Sequence, residues 1–536
     1  MTELSHGSWW GRHKDEWDPL EDDPSGTVAG GRFIRLLPKG PEFSEADLRR
    51  LARAMTAKPE EEPAPEGGPD PDPEEDPEIT AAYTYLGQFT DHDLTFDPTS
   101  KLREELTPEE LRALADFRTP RFDLDNLYGR GPADQPYLYE PDGIRMLLGE
   151  RLSGNPFDPD ARDLPRGPDG RALIGDPRND ENRIVAQLHA VFLRFHNHVA
   201  DYLARPDQLG RGVSFDAVRE QVRWHYQWML VTDYLPRIVN SKTYETIFAN
   251  PYKPTPRLPT LPGLPNLMPV EFSVAAFRFG HSMIRPLYRL NTAIERRPIF
   301  LPRRYRPAQA DDAADLRGFR PIPADWAIDW QFFIDLEHTQ EPRTMPPPYD
   351  QIAREPQHAY KIDTSLVSPL HDLPRQIASG PSILALRNLE RGQTFSLPTG
   401  QQLATALGEK VIPDERLVIG KATAGDAKKP IARVAGSFAG QAPLWAYILS
   451  EAQVTSWENA GPGLSPDKIP VKLGPVGGRI VAGVFAALLQ RDRTSYVSQG
   501  TRFTPIPGFC RDGEFGLAEL INVALRPRPR RRAGAG

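Results

Sequence analysis

Proline is the residue that most constrains this chain, since it occupies 57 of the 536 positions. It lacks a backbone N–H and clashes with the preceding helical turn, so it interrupts both helix interiors and the hydrogen-bond ladders of sheets. We therefore expect many helix ends, long ordered loops and few strands.

Apolar residues at helical spacing indicate what lies between these interruptions. After Arg178, the residues Leu188, Phe192, Phe195 and Val199 recur at the period of a helix. We predict a mainly α fold with few short strands. Three further helices are predicted, at Phe215 to about Tyr234, Val274 to Ile284, and Gly478 to Leu489.

Changes in composition predict four parts of the chain. Residues 1–55 form an N-terminal extension, and residues 56–80, rich in Pro, Glu, Asp and Gly, form a flexible acidic insertion. Residues 81–525 are dense in periodic apolar segments and form a single large domain. Residues 526–536 form a basic disordered tail.

Charge and cysteine content exclude several classes of protein. A net charge of -8 argues against nucleic-acid binding, and the single cysteine, Cys510, excludes an intrachain disulfide. The chain begins without the pattern of a signal peptide, and its longest apolar run, Ile480 to Leu489, is shorter than the ~18 residues of a membrane span. We expect a cytoplasmic location or secretion by a signal-independent route. The sequence does not determine the oligomeric state.

The segment Gly87–Asp93 places His92 between two aspartates, Asp91 and Asp93. Histidine is the usual proton carrier near neutral pH. Two carboxylates are costly to bury unless they are hydrogen-bonded, metal-bound or chemically modified. The segment alone is as compatible with a solvated helix start, because acidic residues favour helix N-termini.

Three further polar segments follow in order, and each has a plainer reading. Arg178 and Glu181 stand three apart at a predicted helix start, where a surface ion pair is the alternative. His281 lies on an aromatic segment, as a core histidine would. Asn388 and Arg391 suit a histidine partner and an anion clamp, or a solvated turn.

Together, these four segments resemble those of the animal-type haem peroxidases (the peroxidase–cyclooxygenase superfamily), which have bacterial members. The likeness runs from about Ala81 to Val497. It implies one large haem peroxidase domain that binds haem b and reduces hydrogen peroxide through a ferryl intermediate. The implied electron donors are small anions (iodide, bromide, thiocyanate) or phenols. A fatty-acid dioxygenase of the same superfamily, an inactive peroxidase-fold binding or adhesion module, and a haem-free calcium-dependent structural protein are the alternatives.

The resemblance implies a role for each matching residue on the two sides of the haem. His92 is similar to the distal histidine, Gln88 to its pocket neighbour and Arg178 to the distal arginine. His281 is similar to the proximal iron ligand, and a neutral imidazole is the usual axial ligand in peroxidases. One imidazole can act as base and then as acid during O–O cleavage, while a guanidinium stabilises the developing negative charge.

Five other residues match groups that hold the haem in the family. Asn388 matches the hydrogen-bond partner of the proximal ligand, and Arg278 and Arg391 match clamps of the haem propionates. Asp91 and Glu181 match carboxylates that form ester bonds to haem methyl groups. The resemblance therefore implies a haem that is covalently linked through these two side chains.

A second site is expected in the segment that runs from Thr119 to Asp125, which carries oxygen donors at alternate residues. Calcium takes six to eight oxygen ligands, and a solvated turn is the alternative. In the family this loop binds calcium together with the aspartate after the distal histidine. The implied ligands are Asp93, Thr119, the Arg121 carbonyl, Asp123 and Asp125.

The chain departs from the family at two informative positions. Asn182 stands where the chloride-oxidising relative has a methionine that links to the haem, so chloride oxidation is disfavoured. Arg278 stands where the cyclooxygenase and dioxygenase branches have a radical tyrosine, so fatty-acid oxygenation is disfavoured.

Overall fold

The computed structural model of the protein describes residues 31–58, 72–96, 102, 106–107, 110–111, 114–258, 267–301, 314–336, 356–378 and 380–527. Helices dominate this part of the chain, which confirms the predicted mainly α fold. The α-helices are α1 (Glu45–Ala54), α2 (Ala81–Leu94), α3 (Asp125–Tyr128), α4 (Arg183–Leu203), α5 (Phe215–Met229), α6 (Leu235–Ile238), α7 (Ser241–Phe248), α8 (Leu384–Thr394), α9 (Gly400–Leu407), α10 (Ile431–Val434), α11 (Leu444–Asn459), α12 (Pro475–Arg491), α13 (Tyr496–Gln499) and α14 (Leu517–Leu525).

The strands of the described residues are short and lie between the helices. β1 pairs in parallel with β4 and antiparallel with β3, while β2 pairs with β7, β5 with β6 and β8 with β9, all antiparallel. These strands are β1 (Gly31–Ile34), β2 (Glu75–Thr80), β3 (Ala115–Asp116), β4 (Leu267–Pro269), β5 (Leu287–Tyr288), β6 (Arg297–Pro298), β7 (His358–Tyr360), β8 (Val418–Ile419) and β9 (Lys429–Pro430).

Helix α4 is the central element of the core. Asn182 starts it, because the Asn182 side chain accepts hydrogen bonds from the N–H groups of Ile184 and Val185. Almost every residue of α4 is buried, and the helix packs against α2, α5 and α14. The apolar period seen in the sequence therefore identified a helix that is enclosed on all sides.

The second predicted helix, Phe215 to about Tyr234, forms with one irregularity. α5 continues as a wide π-helical turn over Leu230–Tyr234, in which the Leu235 N–H donates to the Leu230 carbonyl. Pro236 follows and has no N–H to donate, which favours such a local widening. This turn brings Tyr234 against α2, where a Cβ on Gly87 would lie 2.5 Å from the tyrosine hydroxyl.

The third predicted helix, Val274 to Ile284, is not one regular helix. A π-helical turn over Glu271–Ala275 meets a tight 3-10 helix over Ala276–His281, and Ala275 leaves helical geometry with φ -128° and ψ -66°. Phe272 and Phe277 stack across this junction with ring centroids 4.8 Å apart. Tertiary packing thus overrides the regular period that the sequence suggested.

The fourth predicted helix is confirmed as α12. The buried Glu451 carboxylate accepts from the N–H groups of Val476 and Gly477 at its first turn. A Cβ on Gly477 would lie 2.6 Å from Ile448, so this glycine allows α11 and α12 to pack closely.

Parts of all four predicted segments lie outside the described residues, namely 1–30 of the N-terminal extension, 59–71 of the acidic insertion, several stretches of 81–525, and 528–536 of the basic tail. The end of the predicted insertion forms β2, which leads directly into α2. The boundaries at 55, 80 and 525 stay predictions. Within the described ranges, no helix combines the length and the apolar character needed to cross a membrane.

Candidate active site

A cavity of about 1180 Å³ lies between α2, α8 and the two 3-10 helices Pro177–Asp180 and Ala276–His281. It brings together residues that are as distant in the sequence as Phe33 and Phe395. Eight of the nine residues predicted for catalysis and haem binding line it, namely Gln88, Asp91, His92, Arg178, Glu181, Arg278, His281 and Arg391. The ninth, Asn388, contacts two of them.

Helix α2 supplies three of these side chains because of its period. Gln88, Asp91 and His92 are spaced three and four residues apart, so they share one face of the helix. The opposite faces are apolar and buried in the core, which fixes the helix in place.

The His92 ring is held by a buried chain of hydrogen bonds. Its Nδ1 lies 2.8 Å from the Asn179 side-chain oxygen, and the Asn179 amide nitrogen lies 3.0 Å from Nδ1 of His189. An amide oxygen only accepts, so Nδ1 of His92 carries the proton and Nε2 is left with a lone pair. Asn179 thereby selects the tautomer in which Nε2 can take up a proton.

Burial lowers the pKa of His92, and the neighbouring Arg178 guanidinium lowers it further. Both effects disfavour the imidazolium. The ring is therefore neutral near pH 7 and able to act as a base.

Arg178 is fixed by the buried Asp176 carboxylate. Its Nε and Nη2 contact that carboxylate at 2.8–3.2 Å, and Nη2 also donates to the carbonyls of His92 and Thr95. Burial alone would raise the pKa of Asp176, but Arg118 and Arg178 hold it well below its usual range. These bonds leave Nη1 of Arg178 uncommitted to Asp176.

Gln88 is positioned by the residue that starts α4. Its side-chain oxygen accepts from the Asn182 amide at 3.0 Å, while the Asn182 oxygen caps the helix. A methionine at position 182 could make neither hydrogen bond.

His281 ends the 3-10 helix on the other wall. Its Nδ1 lies 2.8 Å from the Asn388 amide nitrogen, and the Asn388 oxygen accepts from Arg278 at 3.2 Å. Burial, and then the charge of Arg278, lower the pKa of His281 to about 3. The ring is neutral, as a metal ligand must be.

Positive charge is concentrated beside His281. Burial lowers the pKa of Arg278 to about 10, although Asp91 opposes this, and the charges of Arg391 and Arg387 contribute to the decrease. Arg387 also lines the cavity and was not singled out from the sequence. A group of partly buried guanidiniums of this kind favours an anionic ligand.

A planar dianionic porphyrin fits this donor set. Neutral imidazoles and arginines line the cavity, and a Cβ on Gly280 would meet no protein atom within 4 Å. Contacts with other protein atoms therefore do not explain why position 280 is a glycine. The space next to it is open.

A second cluster of charge lies behind α2. One carboxylate oxygen each from Asp93, Asp123 and Asp125 falls within 4.8 Å of the other two, and the Thr119 hydroxyl donates to Asp123 at 2.6 Å. Both Asp93 oxygens are buried without a hydrogen-bond partner. Burial and the neighbouring carboxylates raise the pKa of Asp93 well above its usual range. The donor set suits a hard cation with oxygen ligands.

Arg121, the remaining predicted ligand, lies in the same loop, where its N–H donates to the Thr119 carbonyl. Arg118, which was not predicted, approaches Asp125 at 3.4 Å and binds Asp176 at 2.7 Å. Burial, offset in part by Arg118, raises the pKa of Asp125 to about 7. Arg118 thus joins the acidic cluster to the residue that fixes Arg178.

Sequence reasoning missed Asn179, Asp176 and His189, which hold the predicted residues. The only local signal was that Asp176 and Asn179 flank Arg178. His189 is buried beside Asn179.

Comparison with known proteins finds a similarity over part of the chain. Residues 105–307 match the family model of the animal haem peroxidases. A probable oxidoreductase of Homo sapiens, PXDNL, is 27% identical over 42% of this chain and 16% of its own length. Human thyroid peroxidase is 34% identical over 24% of this chain and 13% of its own length. The chain thus spans under a fifth of each of these relatives.

Two solved structures share the fold at low identity. Peroxidase A of Dictyostelium discoideum is 16% identical with a TM-score of 0.57, and the match covers 95% of this chain and 96% of that one. A fatty acid alpha-dioxygenase of Oryza sativa is 14% identical with a TM-score of 0.52, covering 93% and 80%.

Replacement of Asn179 tests the tautomer assignment. In Asn179→Leu the acceptor for Nδ1 of His92 is lost, so we expect a mixture of both His92 tautomers in place of one. Ring ¹⁵N shifts of histidine-labelled protein measure this. His189→Gln is the control, because it leaves the Asn179 oxygen on His92. A single unchanged His92 tautomer in Asn179→Leu would contradict the assignment.

Proposed function

We propose that the chain belongs to the peroxidase–cyclooxygenase superfamily, since residues 105–307 match the animal haem peroxidase model, and that it is a haem-dependent peroxidase. It reduces hydrogen peroxide and oxidises iodide, bromide, thiocyanate or small phenols. One observation carries the proposal: a neutral His92 with a fixed tautomer, Arg178 and a second neutral histidine, His281, line the same cavity.

Three residues would hold the haem directly. His281 would bind the iron through Nε2, and Arg278 and Arg391 would pair with the propionates. When Arg278 is paired in this way, the Asn388 oxygen becomes available as acceptor for Nδ1–H of His281. The bound haem supplies the redox chemistry of the reaction.

The chain's own residues move the protons. His92 Nε2 would take a proton from one oxygen of hydrogen peroxide and deliver it to the other oxygen as the O–O bond breaks, with the electrons supplied by the bound haem. A positioned base of this kind contributes roughly 10²–10⁴-fold to the rate. Arg178, fixed by Asp176, stabilises the negative charge that develops on the leaving oxygen. Gln88, held by Asn182, orients the peroxide beside His92.

The alternatives are less well supported by the residues at hand. A fatty-acid dioxygenase needs an oxidisable tyrosine where Arg278 stands, and a guanidinium cannot form that radical. An inactive binding or adhesion module would not require His92, Arg178 and His281 to share a cavity. A haem-free structural protein gives no reason for the buried arginines beside His281.

Absorption and turnover test the proposal together. Protein produced with added haem should show a Soret band and oxidise iodide or guaiacol with hydrogen peroxide. His281→Ala should lose most of the bound haem or at least 100-fold in turnover. His358→Asn, which changes a histidine outside the cavity lining, is the control.

The outcomes separate the candidates. Wild-type protein that binds no haem would refute the peroxidase proposal. A Soret band with turnover of a fatty acid and dioxygen, but not of peroxide, would favour the dioxygenase.

We further propose that Asp91 and Glu181 form ester bonds to the haem, since both line the cavity. Haem should then resist extraction by acidified organic solvent after treatment with peroxide. Asp91→Ala/Glu181→Ala should release it, and either single variant should retain one bond. Equal release from wild type and double variant would show that no ester forms.

The acidic cluster is proposed to bind calcium through Asp93, Thr119, the Arg121 carbonyl, Asp123 and Asp125. The ion would compensate three neighbouring carboxylates, of which Asp93 is buried, and Arg118 at 3.4 Å from Asp125 does not neutralise all three. Asp93 adjoins His92 in α2, so the ion would also fix the position of His92.

Removal of calcium tests this role. Chelation should lower the thermal midpoint and slow the reaction with peroxide, and added calcium should restore both. Asp123→Asn should weaken calcium binding, while Asp134→Asn, an exposed aspartate downstream of the same loop, should not. Unchanged melting and kinetics in the metal-free protein would refute the site.

A further inference from the structure

Tyr83 connects the cavity to a carboxylate on its far side. It lies on α2, lines the cavity and is 3% exposed. Its hydroxyl donates to the two oxygens of Asp233 at 3.0 and 2.9 Å. The ring therefore touches the cavity while its oxygen contacts a different element, the π-helical turn after α5.

Asp233 links Tyr83 to the protein surface. Its side chain is 14% exposed and accepts from Arg237 Nε at 2.8 Å and from the Leu517 N–H at 2.9 Å. The Arg237 guanidinium lies 4.5 Å from the centroid of the Tyr83 ring and is 40% exposed. These three side chains form a continuous path from the cavity wall to solvent.

The cluster has the chemistry of a one-electron relay. A phenol that loses an electron becomes a strong acid, so its oxidation is easy only where a base accepts the proton. Burial and the negative charge of Asp233 raise the pKa of Tyr83, so its hydroxyl keeps the proton until then. The positive charge of Arg237 over the ring disfavours a protonated radical cation, which requires the proton to leave with the electron.

Two other tyrosines line the cavity, Tyr85 and Tyr234, and both are buried. Among the described residues, neither donates a hydrogen bond to a carboxylate, as Tyr83 does to Asp233. They are therefore suitable controls, because they are tyrosines that line the same cavity but do not donate to a carboxylate among the described residues.

We propose that Tyr83 and Asp233 carry single oxidising equivalents from the cavity to the surface beside Arg237, where phenolic donors too large to enter the cavity are oxidised. This rests on the proposed function, because the oxidant is the haem after its reaction with peroxide. Tyr83 stands about 14 Å from His92 along the axis of α2 and shares its cavity.

The step balances in electrons and protons. One electron passes from Tyr83 to the peroxide-oxidised haem, the O–H bond of Tyr83 breaks, and the proton bonds to an Asp233 oxygen. A surface phenol then gives one electron to the Tyr83 phenoxyl radical, Asp233 returns its proton to Tyr83, and the donor loses its own proton to water. Two such cycles consume the two oxidising equivalents of one peroxide.

Rapid-freeze electron paramagnetic resonance of the haem-loaded protein with peroxide detects the radical. We expect a tyrosyl signal that Tyr83→Phe removes, while Tyr85→Phe and Tyr234→Phe retain it. In Asp233→Asn the signal should weaken at least fivefold, because the amide cannot take the proton. A nitroso spin trap followed by peptide mass spectrometry should label Tyr83 in the wild type.

Turnover of two donors supplies the functional test. The probes are free guaiacol and the same phenol coupled to dextran, which cannot enter the cavity. The ratio of dextran-phenol to guaiacol turnover should fall at least fivefold in Tyr83→Phe and in Asp233→Asn, and stay within twofold in the two controls. The Soret band of each variant verifies folding and haem loading.

Three outcomes would overturn the relay. A wild type that reacts with peroxide and oxidises guaiacol, but gives no radical at Tyr83, would refute the relay and leave the peroxidase proposal intact. An unchanged donor ratio in both variants would do the same. A protein that does not react with peroxide at all would refute both, because the relay then has no oxidant.

Discussion

The buried carboxylate of Asp176 connects the main parts of the candidate site. It binds Arg178, which lines the cavity, and Arg118, which reaches the acidic cluster at Asp125. Arg178 in turn holds the backbone carbonyl of His92. Loss of this one carboxylate would leave two buried guanidiniums without their shared partner, a change that typically costs about 3–5 kcal/mol. The positions of Arg178 and of the proposed calcium ligand Asp125 therefore both depend on Asp176, through Arg118 in the second case.

Burial sets the charge on each wall of the cavity. It lowers the pKa of both His92 and His281, so the two imidazoles stay neutral, one available as a base and the other as a ligand. Positive charge remains on the arginines, which burial cannot neutralise near pH 7. The cavity thus holds a neutral imidazole at His92 and positive charge beside His281.

The helices that bury most of their surface were predictable. The apolar period of α4 and α12 identified both, since a repeat of 3.6 residues is the direct consequence of packing a helix in a core. The segment at Val274 is also apolar, but its pattern does not indicate the π-helical turn, the break at Ala275 or the 3-10 helix. Those features follow from the packing of Phe272 and Phe277 and from the anchoring of Glu271 by the N–H groups of Leu36 and Leu37.

Residue types and motifs were enough to identify which side chains could do chemistry: two histidines, three arginines, amides and carboxylates in four separate segments. Spacing in the sequence predicted proximity only for residues on one helix face, such as Gln88 and His92. The hydrogen bonds of Asn179 with His92, of Arg178 with Asp176 and of Tyr83 with Asp233 are seen only in the folded structure. The physical reason is that a hydrogen bond requires its two groups within about 3 Å, and that proximity arises from the packing of elements distant in the chain.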